Sequence, residues 1–287
     1  MRTCTGRVLV VFLGLLPACV TLTQDPRTVI LAADGGLQVR SLTCAEVVPP
    51  LVAPPPKALD PRALRLVTWN IHKQGDAGWE RDLARIVAGS DIVLLQEAAL
   101  TAALRPLLED NELRWVMASS FLYEDTDFGV LTAARAVPLA SCTERVVEPL
   151  LGIPKSGIVS WFPLEGRTET LAVVNVHAIN FSLALDSYRI QFAALVRPLL
   201  AHRGPIVFAG DFNTWTADRL TTVRDVTAVL GLTVIPFADD ERSRFFGRQV
   251  DHVMVRGLDV LTAAAIPVTS SDHNPVRVTL ILSSPFH

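Results

Sequence analysis

Six short stretches of this chain set Asn, Glu, His and Asp beside apolar runs: Trp69-Asn70, Gln96-Glu97, Asn175-Val176-His177, Gly210-Asp211-Phe212-Asn213, Asp251, and Ser271-Asp272-His273. Carboxylates and carboxamides suit a hard divalent cation, and a histidine with an acidic partner suits proton transfer. Together these groups suit attack of water on a phosphoester. That reaction needs the phosphoryl charge offset, a water deprotonated in line, and the leaving oxygen stabilised. In such a scheme Glu97 holds the cation, with Asn70 and Asp272 as partners. Asp211 is the water-activating base. Asn213, two residues on and so on the same side of an extended segment, orients Asp211 or donates to the phosphate. His273 donates to a phosphoryl oxygen or moves a proton, and Asp251 accepts from its other ring nitrogen. Asn175 and His177 are expected to face the same pocket, again at a spacing of two. Asn180 and Lys155 are added as candidate substrate contacts.

Each group alone has a plainer reading. An Asp-x-Asn is often only a turn, and a Glu at a strand end is often a solvated acid. His72, His202, His252 and His287 read as surface or loop histidines, Trp69 and Trp161 as core, and Lys155 and Arg244 as solvated bases. The joint occurrence of six motifs in one order outweighs those readings.

The elements that must hold these residues follow from periodicity. Strands are expected at 64–70, 91–97, 115–121, 129–134, 138–147, 157–163, 170–177, 206–209, 250–255, 260–266 and 276–282. Helices are expected at 79–87, 101–108 with Thr101 as cap, 186–202 and 217–230. Many strands with few helices between them suggest two packed sheets flanked by helices, an α/β sandwich. Functional groups then gather where the strands end.

Length and ends set the frame. The chain has 287 residues, half of them apolar, so one domain of roughly 220 residues can bury a sizeable core. Charged residues are 19%, too many for a polytopic membrane protein, and the net charge of −3 is not that of an obvious binder of long nucleic acid. Arg2 and Arg7 precede an apolar run, Val8 to Leu16, as in an export signal. Leu16-Pro17-Ala18-Cys19 resembles a lipobox; lipidation at Cys19, plain secretion and an uncleaved anchor all stay open. The expected division is a signal over 1–19, a Pro-rich tether over 20–62 and a catalytic domain over 63–285. Cys44 and Cys142 either pair in an oxidising envelope or remain free thiols.

The order of the motifs resembles the endonuclease/exonuclease/phosphatase superfamily, the DNase I-like fold, over roughly Leu64 to Leu282. The chain looks most similar to bacterial envelope members of it. The resemblance implies a four-layered α/β sandwich, two mainly antiparallel sheets between helices, and Mg²⁺- or Mn²⁺-dependent phosphoester hydrolysis. It carries the metal role to Glu97 with Asn70 and Asp272, water orientation to Asp211 with Asn213, and the histidine–acid pair to His273 and Asp251. A His at position 177, rather than Tyr, resembles branches other than abasic-site repair. The segment Ala178-Ile179-Asn180-Phe181-Ser182 departs from the usual Asn-Thr-His-Leu pattern. The leading expectation is an exported phosphodiesterase or phosphatase, tethered at the bacterial cell envelope. A secreted nuclease and a non-catalytic binding module are the alternatives. The expected partner is a phosphoester substrate, whether small molecule, lipid or nucleic acid, with no protein partner.

Overall fold

The computed structural model describes residues 8–9, 19–23, 26–32, 35–45, 57–182 and 184–283. The larger of two main sheets runs Val8–Leu9, Cys19–Thr21, Arg114–Tyr123, Thr126–Ala134, Ile92–Ala99, Leu64–Asn70, Val276–Leu282, Leu258–Ala265. Strand Arg27–Leu31 also pairs with Arg114–Tyr123, and Leu37–Arg40 pairs with Arg27–Leu31. The smaller sheet runs Thr233–Val234, Asp251–Arg256, Ile206–Asp211, Thr170–His177, Pro154–Pro163, Ala140–Val147.

Burial divides the core into layers. Leu66, Leu94, Val173, Val207, Val253 and Val278 fill the space between the sheets. The outer face of the large sheet packs Trp69, Leu95 and Met117 against Leu83 and Ile86 of helix Trp79–Val87 and Leu104 and Leu108 of helix Leu104–Glu109. The outer face of the small sheet packs Val174 and Phe208 against Phe192 and Leu195 of helix Asp186–Val196 and Val223 and Val226 of helix Ala217–Leu230. Helix, sheet, sheet, helix is the four-layered sandwich, with apolar residues on both faces of the central strands.

Chain direction is what gathers the functional groups. Within the two sheets most neighbours are antiparallel, but Leu64–Asn70 lies parallel to Ile92–Ala99, and Thr170–His177 parallel to Ile206–Asp211. Each parallel pair sits inside its sheet and brings two strand C-termini to one edge. Asn70 is therefore level with Gln96, and His177 with Asp211. The antiparallel neighbour sets Asp251 level with Asp211. Gly210 permits that register: its φ is +140°, and a Cβ there would lie 2.1 Å from the Val176 carbonyl oxygen.

Three expectations are corrected. Residues 20–62 are not all tether: Arg27–Leu31 and Leu37–Arg40 belong to the large sheet, so the folded unit begins well before residue 63. Apolar Val29 and Leu31 supply the buried face that weak periodicity concealed. The helix expected over 186–202 stops at Val196 and continues as a 3₁₀ turn, Arg197–Leu199, because Pro198 cannot extend an α-helix. The helix expected from Thr101 starts at Leu104, with the Thr101 hydroxyl accepting from Leu104 N at 3.2 Å. Residues 1–7, 10–18, 46–56 and 284–287 lie outside the described residues, and with them most of the signal, Val47–Pro56 of the tether and His287. Among the described residues no helix is long and apolar enough to cross a membrane.

Cys44 and Cys142 are joined as a disulfide, with Cα atoms 4.8 Å apart. It fastens the early strands to the small sheet across a sequence separation of 98 residues. Cross-linking so long a loop restricts the unfolded chain, so Cys142→Ala is expected to lower stability by about 4 kcal/mol. Urea unfolding with and without reductant checks this; equal midpoints would contradict it.

Candidate active site

The site is a file of charged side chains across the paired strand ends. Asp211 is its centre. Its Oδ1 accepts from Asn213 N at 2.9 Å, and its Oδ2 accepts from Asn70 Nδ2 at 3.1 Å. His177 Nε2 lies 3.5 Å from Asp211 Oδ2, and His273 Nε2 lies 3.9 Å from the same oxygen. On its far side His273 Nδ1 donates to Asp251 Oδ2 at 2.8 Å. On the other flank His177 Nε2 stands 3.6 Å from Glu97 Oε1, with Lys155 Nζ 3.0 Å from the ring nitrogen and 3.6 Å from the carboxylate. A lysine ammonium can only donate, so its contact puts the proton of neutral His177 on Nδ1.

Backbone geometry re-aims two of these side chains. Ile92–Ala99 was expected to end at Glu97, but it runs two residues further through a register shift between Leu95 and Ala98. Glu97 sits in that bulge with φ of +51°, and the bulge turns its carboxylate toward the edge. Asn213 is not on an extended segment either. Its φ is +50°, its backbone N–H closes a turn onto Asp211, and its Nδ2 donates to the Ala178 carbonyl at 2.9 Å. Left-handed backbone at two non-glycine residues of one site is strain held by the surroundings. Buried Arg219 does much of that holding. Its guanidinium donates to the carbonyls of Ile179, Asn180 and Asn213 at 2.6, 2.5 and 3.1 Å, locking both loops that follow the parallel strands.

The electrostatics separate the acids. Burial drives the Asp211 carboxyl up to about 6 against the opposing pull of His273, with Asp251 adding to the rise. Burial acts to lower His273, but the charge and hydrogen bond of Asp251, with Asp211 behind, outweigh it and raise the imidazole to about 10. Burial also pushes Glu97 up, yet the fields of His177, Lys155 and Lys73 prevail and hold it well below the usual carboxylate range. Burial, reinforced by Lys155, keeps His177 well below its ordinary value, so at neutral pH its ring is neutral. A protonatable carboxylate between a neutral and a charged imidazole is the arrangement of a base and its electrostatic partner.

Several expected residues stand elsewhere. Asn175 does not face the pocket. It is buried between the sheets, its Oδ1 accepts from Gln96 Nε2 at 2.6 Å, and its Nδ2 donates to the Leu131 carbonyl at 2.9 Å. The spacing of two gave the correct strand face, but Asn175 lies one layer deeper than His177. Asn180 is committed to the fold too, its Oδ1 accepting from Trp215 Nε1 at 2.9 Å. Lys155, read as more plainly solvated, is in the cluster. His252, read as a surface histidine, is buried, with Nε2 2.6 Å from Thr214 Oγ1. Sequence reasoning missed Lys73, whose ammonium pairs with Glu97, and Phe245, whose ring lies 5.2 Å from that of His273. Lys73 follows Asn70 within a tight turn, His72–Gln74, and that closeness to a motif was the only available signal.

The divalent cation that the resemblance implies needs donors that converge. Glu97, Asn70 and Asp272 do not hydrogen-bond one another. Asn70 turns to Asp211, and half-exposed Asp272 lies 4.0 Å from His72 Nδ1. Among the described residues no three His, Cys, Asp or Glu groups converge as a metal cluster. The donor chemistry nevertheless fits a hard cation at Glu97. This carboxylate is buried and ionised, and its Oε2 pairs with the Lys73 ammonium, which occupies the place a cation would take.

A sequence model of the endonuclease/exonuclease/phosphatase family matches residues 67–273. A UPF0294 protein of Vibrio campbellii is 35% identical over 286 residues, 98% of each chain. Among solved structures, an endonuclease/exonuclease/phosphatase from Beutenbergia cavernae superposes with a TM-score of 0.59 at 20% identity, covering 77% of this chain and 72% of that one. The human Nocturnin catalytic domain, with a bound sulfate anion, gives 0.60 at 19%, covering 79% and 97%.

Proposed function

Because the chain belongs to the endonuclease/exonuclease/phosphatase family, whose members act as phosphoesterases or nucleases, we propose that it hydrolyses a phosphoester, with Asp211 as base. The observation that carries this is the Asp211 carboxylate, buried between His177 and His273 and displaced up to about 6.

Water approaches phosphorus from the Asp211 side, and Asp211 Oδ2 takes its proton as the new O–P bond forms. Asn70 and Asn213 keep that carboxylate turned toward the water. Protonated His273, steered by Asp251, presents Nε2–H to a phosphoryl oxygen and offsets its charge. Lys155 adds positive charge on the opposite flank, next to neutral His177. As the leaving P–O bond breaks, its electron pair stays with the departing oxygen, which takes up a proton from solvent. A divalent cation, Mg²⁺ or Mn²⁺, would be held by Glu97, with Asn70 and Asp272 at the same edge, and would supply Lewis acidity for phosphoryl and leaving-group charge.

The pH dependence follows from the two displaced groups. The base must be ionised, so the rate rises as pH passes about 6. The imidazolium must keep its proton, so the rate falls as pH approaches about 10. Asp251→Asn removes the charge and hydrogen bond that raise His273 and the charge that adds to the rise of Asp211, so both limbs are expected to move to lower pH, the falling limb further. A rate profile from pH 5 to 10.5 on an aryl phosphodiester reads both, and an unmoved falling limb would contradict the His273–Asp251 assignment.

Export and tethering at the envelope are part of the same proposal. The basic and apolar N-terminal run supports them, as does the Cys44–Cys142 disulfide, a bond of oxidising compartments. Protease digestion of the chain in intact cells with a permeabilised outer layer tests export; full resistance would contradict it. For the activity, the full chain is offered an aryl phosphodiester, plasmid DNA and phospholipid vesicles side by side, with Mg²⁺ or with EDTA. Chelator-sensitive turnover of one of them is expected. Silence on all three favours the binding-module reading.

A further inference from the structure

The hairpin Arg244–Phe245, Arg248–Gln249 stands beside the site, and its turn breaks the usual rule for turns. Phe246 and Gly247 form the two-residue loop with φ of +48° and +77°, the geometry in which Asn, Asp or Gly is ordinarily found first. A phenylalanine there accepts backbone strain, and its side chain is 86% exposed. Turn chemistry does not explain that choice, and the ring contact with Trp215 leaves most of the side chain in solvent. Arg244 and Arg248 flank the exposed ring, both solvent-facing. Phe245, on the inner side, rests 5.2 Å from His273.

Apolar exposure continues around the rim through described contacts. Phe246 lies 5.7 Å from Trp215, and Trp215 donates to Asn180. The next residue, Phe181, is 49% exposed. The backbone N–H groups of Asn180 and Phe181 both donate to buried Glu148 at 2.7 Å. Glu148 opens the loop that exposes Leu150 and Leu151 by 56% and 50%. That loop leads directly to Lys155 in the site. Exposed apolar side chains are ordinarily scattered, whereas these form an arc along the catalytic edge.

We propose that this rim docks on an anionic phospholipid surface, with Phe246, Phe181, Leu150 and Leu151 entering the headgroup–acyl boundary and Arg244 and Arg248 on lipid phosphates. Aromatic and aliphatic tips flanked by arginines match the layered chemistry of that boundary. Nucleobases would be served by the aromatic tips alone; Leu150 and Leu151 offer them no stacking face. Docking sets the catalytic edge against the headgroup layer, so the substrate class becomes a lipid-borne phosphoester. This last step rests on the hydrolase reading; the docking itself does not.

The test uses full chains carrying Phe246→Trp or Leu150→Trp, with vesicles of brominated phosphatidylcholine containing phosphatidylglycerol. Quenching reports insertion at the substituted position and needs no turnover, so loss of the hydrolase reading would leave it intact. The emission added by each substitution over the wild-type chain is expected to fall by on the order of half, and by less when phosphatidylglycerol is omitted. Quenching no greater than that of the wild type for both variants overturns the proposal. Quenching of Phe246→Trp by a single-stranded oligonucleotide, with none by vesicles, also overturns it and assigns the ring to base stacking.

Discussion

Asp211→Asn is expected to abolish turnover, by about 10³-fold or more in kcat, while making the protein more stable at neutral pH. The catalytic loss follows from removing the carboxylate positioned to take the water's proton, a role that general bases fill with gains of about 10²–10⁴. The stability gain follows from the direction in which its carboxyl is displaced. The folded value, about 6, lies above the ordinary 3.8. Folding at pH 7 therefore keeps a carboxylate ionised in a buried setting that disfavours its charge relative to water. The cost, roughly 3 kcal/mol at pH 7, fades as pH falls below about 6 and vanishes below the unfolded value. Asparagine removes the buried charge but offers an N–H where Asn70 Nδ2 now donates, which returns roughly 1 kcal/mol. A net gain of about 2 kcal/mol in urea unfolding at pH 7, shrinking toward pH 4, is the expected result. A variant both inactive and less stable at pH 7 would contradict the environment assigned to Asp211.

Glu97→Gln is expected to lose activity by a similar factor, about 10³-fold, with the opposite effect on stability. Glu97 is held below the ordinary range by cations around it, so it stabilises the fold above its unfolded value, and that contribution is lost as pH falls. Replacing it leaves Lys155 and Lys73 without their counter-charge in a largely buried site. Losing one partner of such a pair costs about 3 kcal/mol. The residual activity of Glu97→Gln should no longer respond to Mg²⁺ or to EDTA. Persistence of the full metal response would separate Glu97 from the cation and contradict the donor set proposed for it. The two substitutions thus share one catalytic outcome and differ in the sign of their stability change. A general loss of structure could not produce that pattern.

Much of this was legible because the apolar runs are clean. The strands 64–70, 170–177 and 276–282 and the helices 79–87 and 217–230 agree with the structure to the residue. The structure shows why the last helix has sharp ends: Thr216 caps it, and Gly231, with φ of +64°, ends it. Residues at strand ends then converge because parallel neighbours share a polarity, which periodicity does not reveal but the order of the motifs implied. What stayed hidden was depth and partner. Alternation assigns Asn175 and His177 to one face, yet only packing against the second sheet shows that Asn175 is sealed there by Gln96. Glu97 could not be aimed from sequence, because its direction depends on a bulge. Arg27–Leu31 was passed over since five residues carry too short a pattern, and the disulfide that fastens this region left two thiols as the only sequence trace. Lys73 and Arg219 are ordinary bases by type. Their roles arise from a left-handed turn in one case and from three carbonyl acceptors in the other.

The central claim is that Asp211 activates a water for attack on phosphorus. Turnover of an aryl phosphodiester in ¹⁸O-labelled water, by the wild-type chain and by Asp211→Asn, with Mg²⁺ and with EDTA, tests it most directly. The account predicts a phosphate monoester carrying one ¹⁸O and an unlabelled phenol from the wild type, suppressed by EDTA and lost in the variant. Label in the phenol, or undiminished turnover by Asp211→Asn, would contradict it.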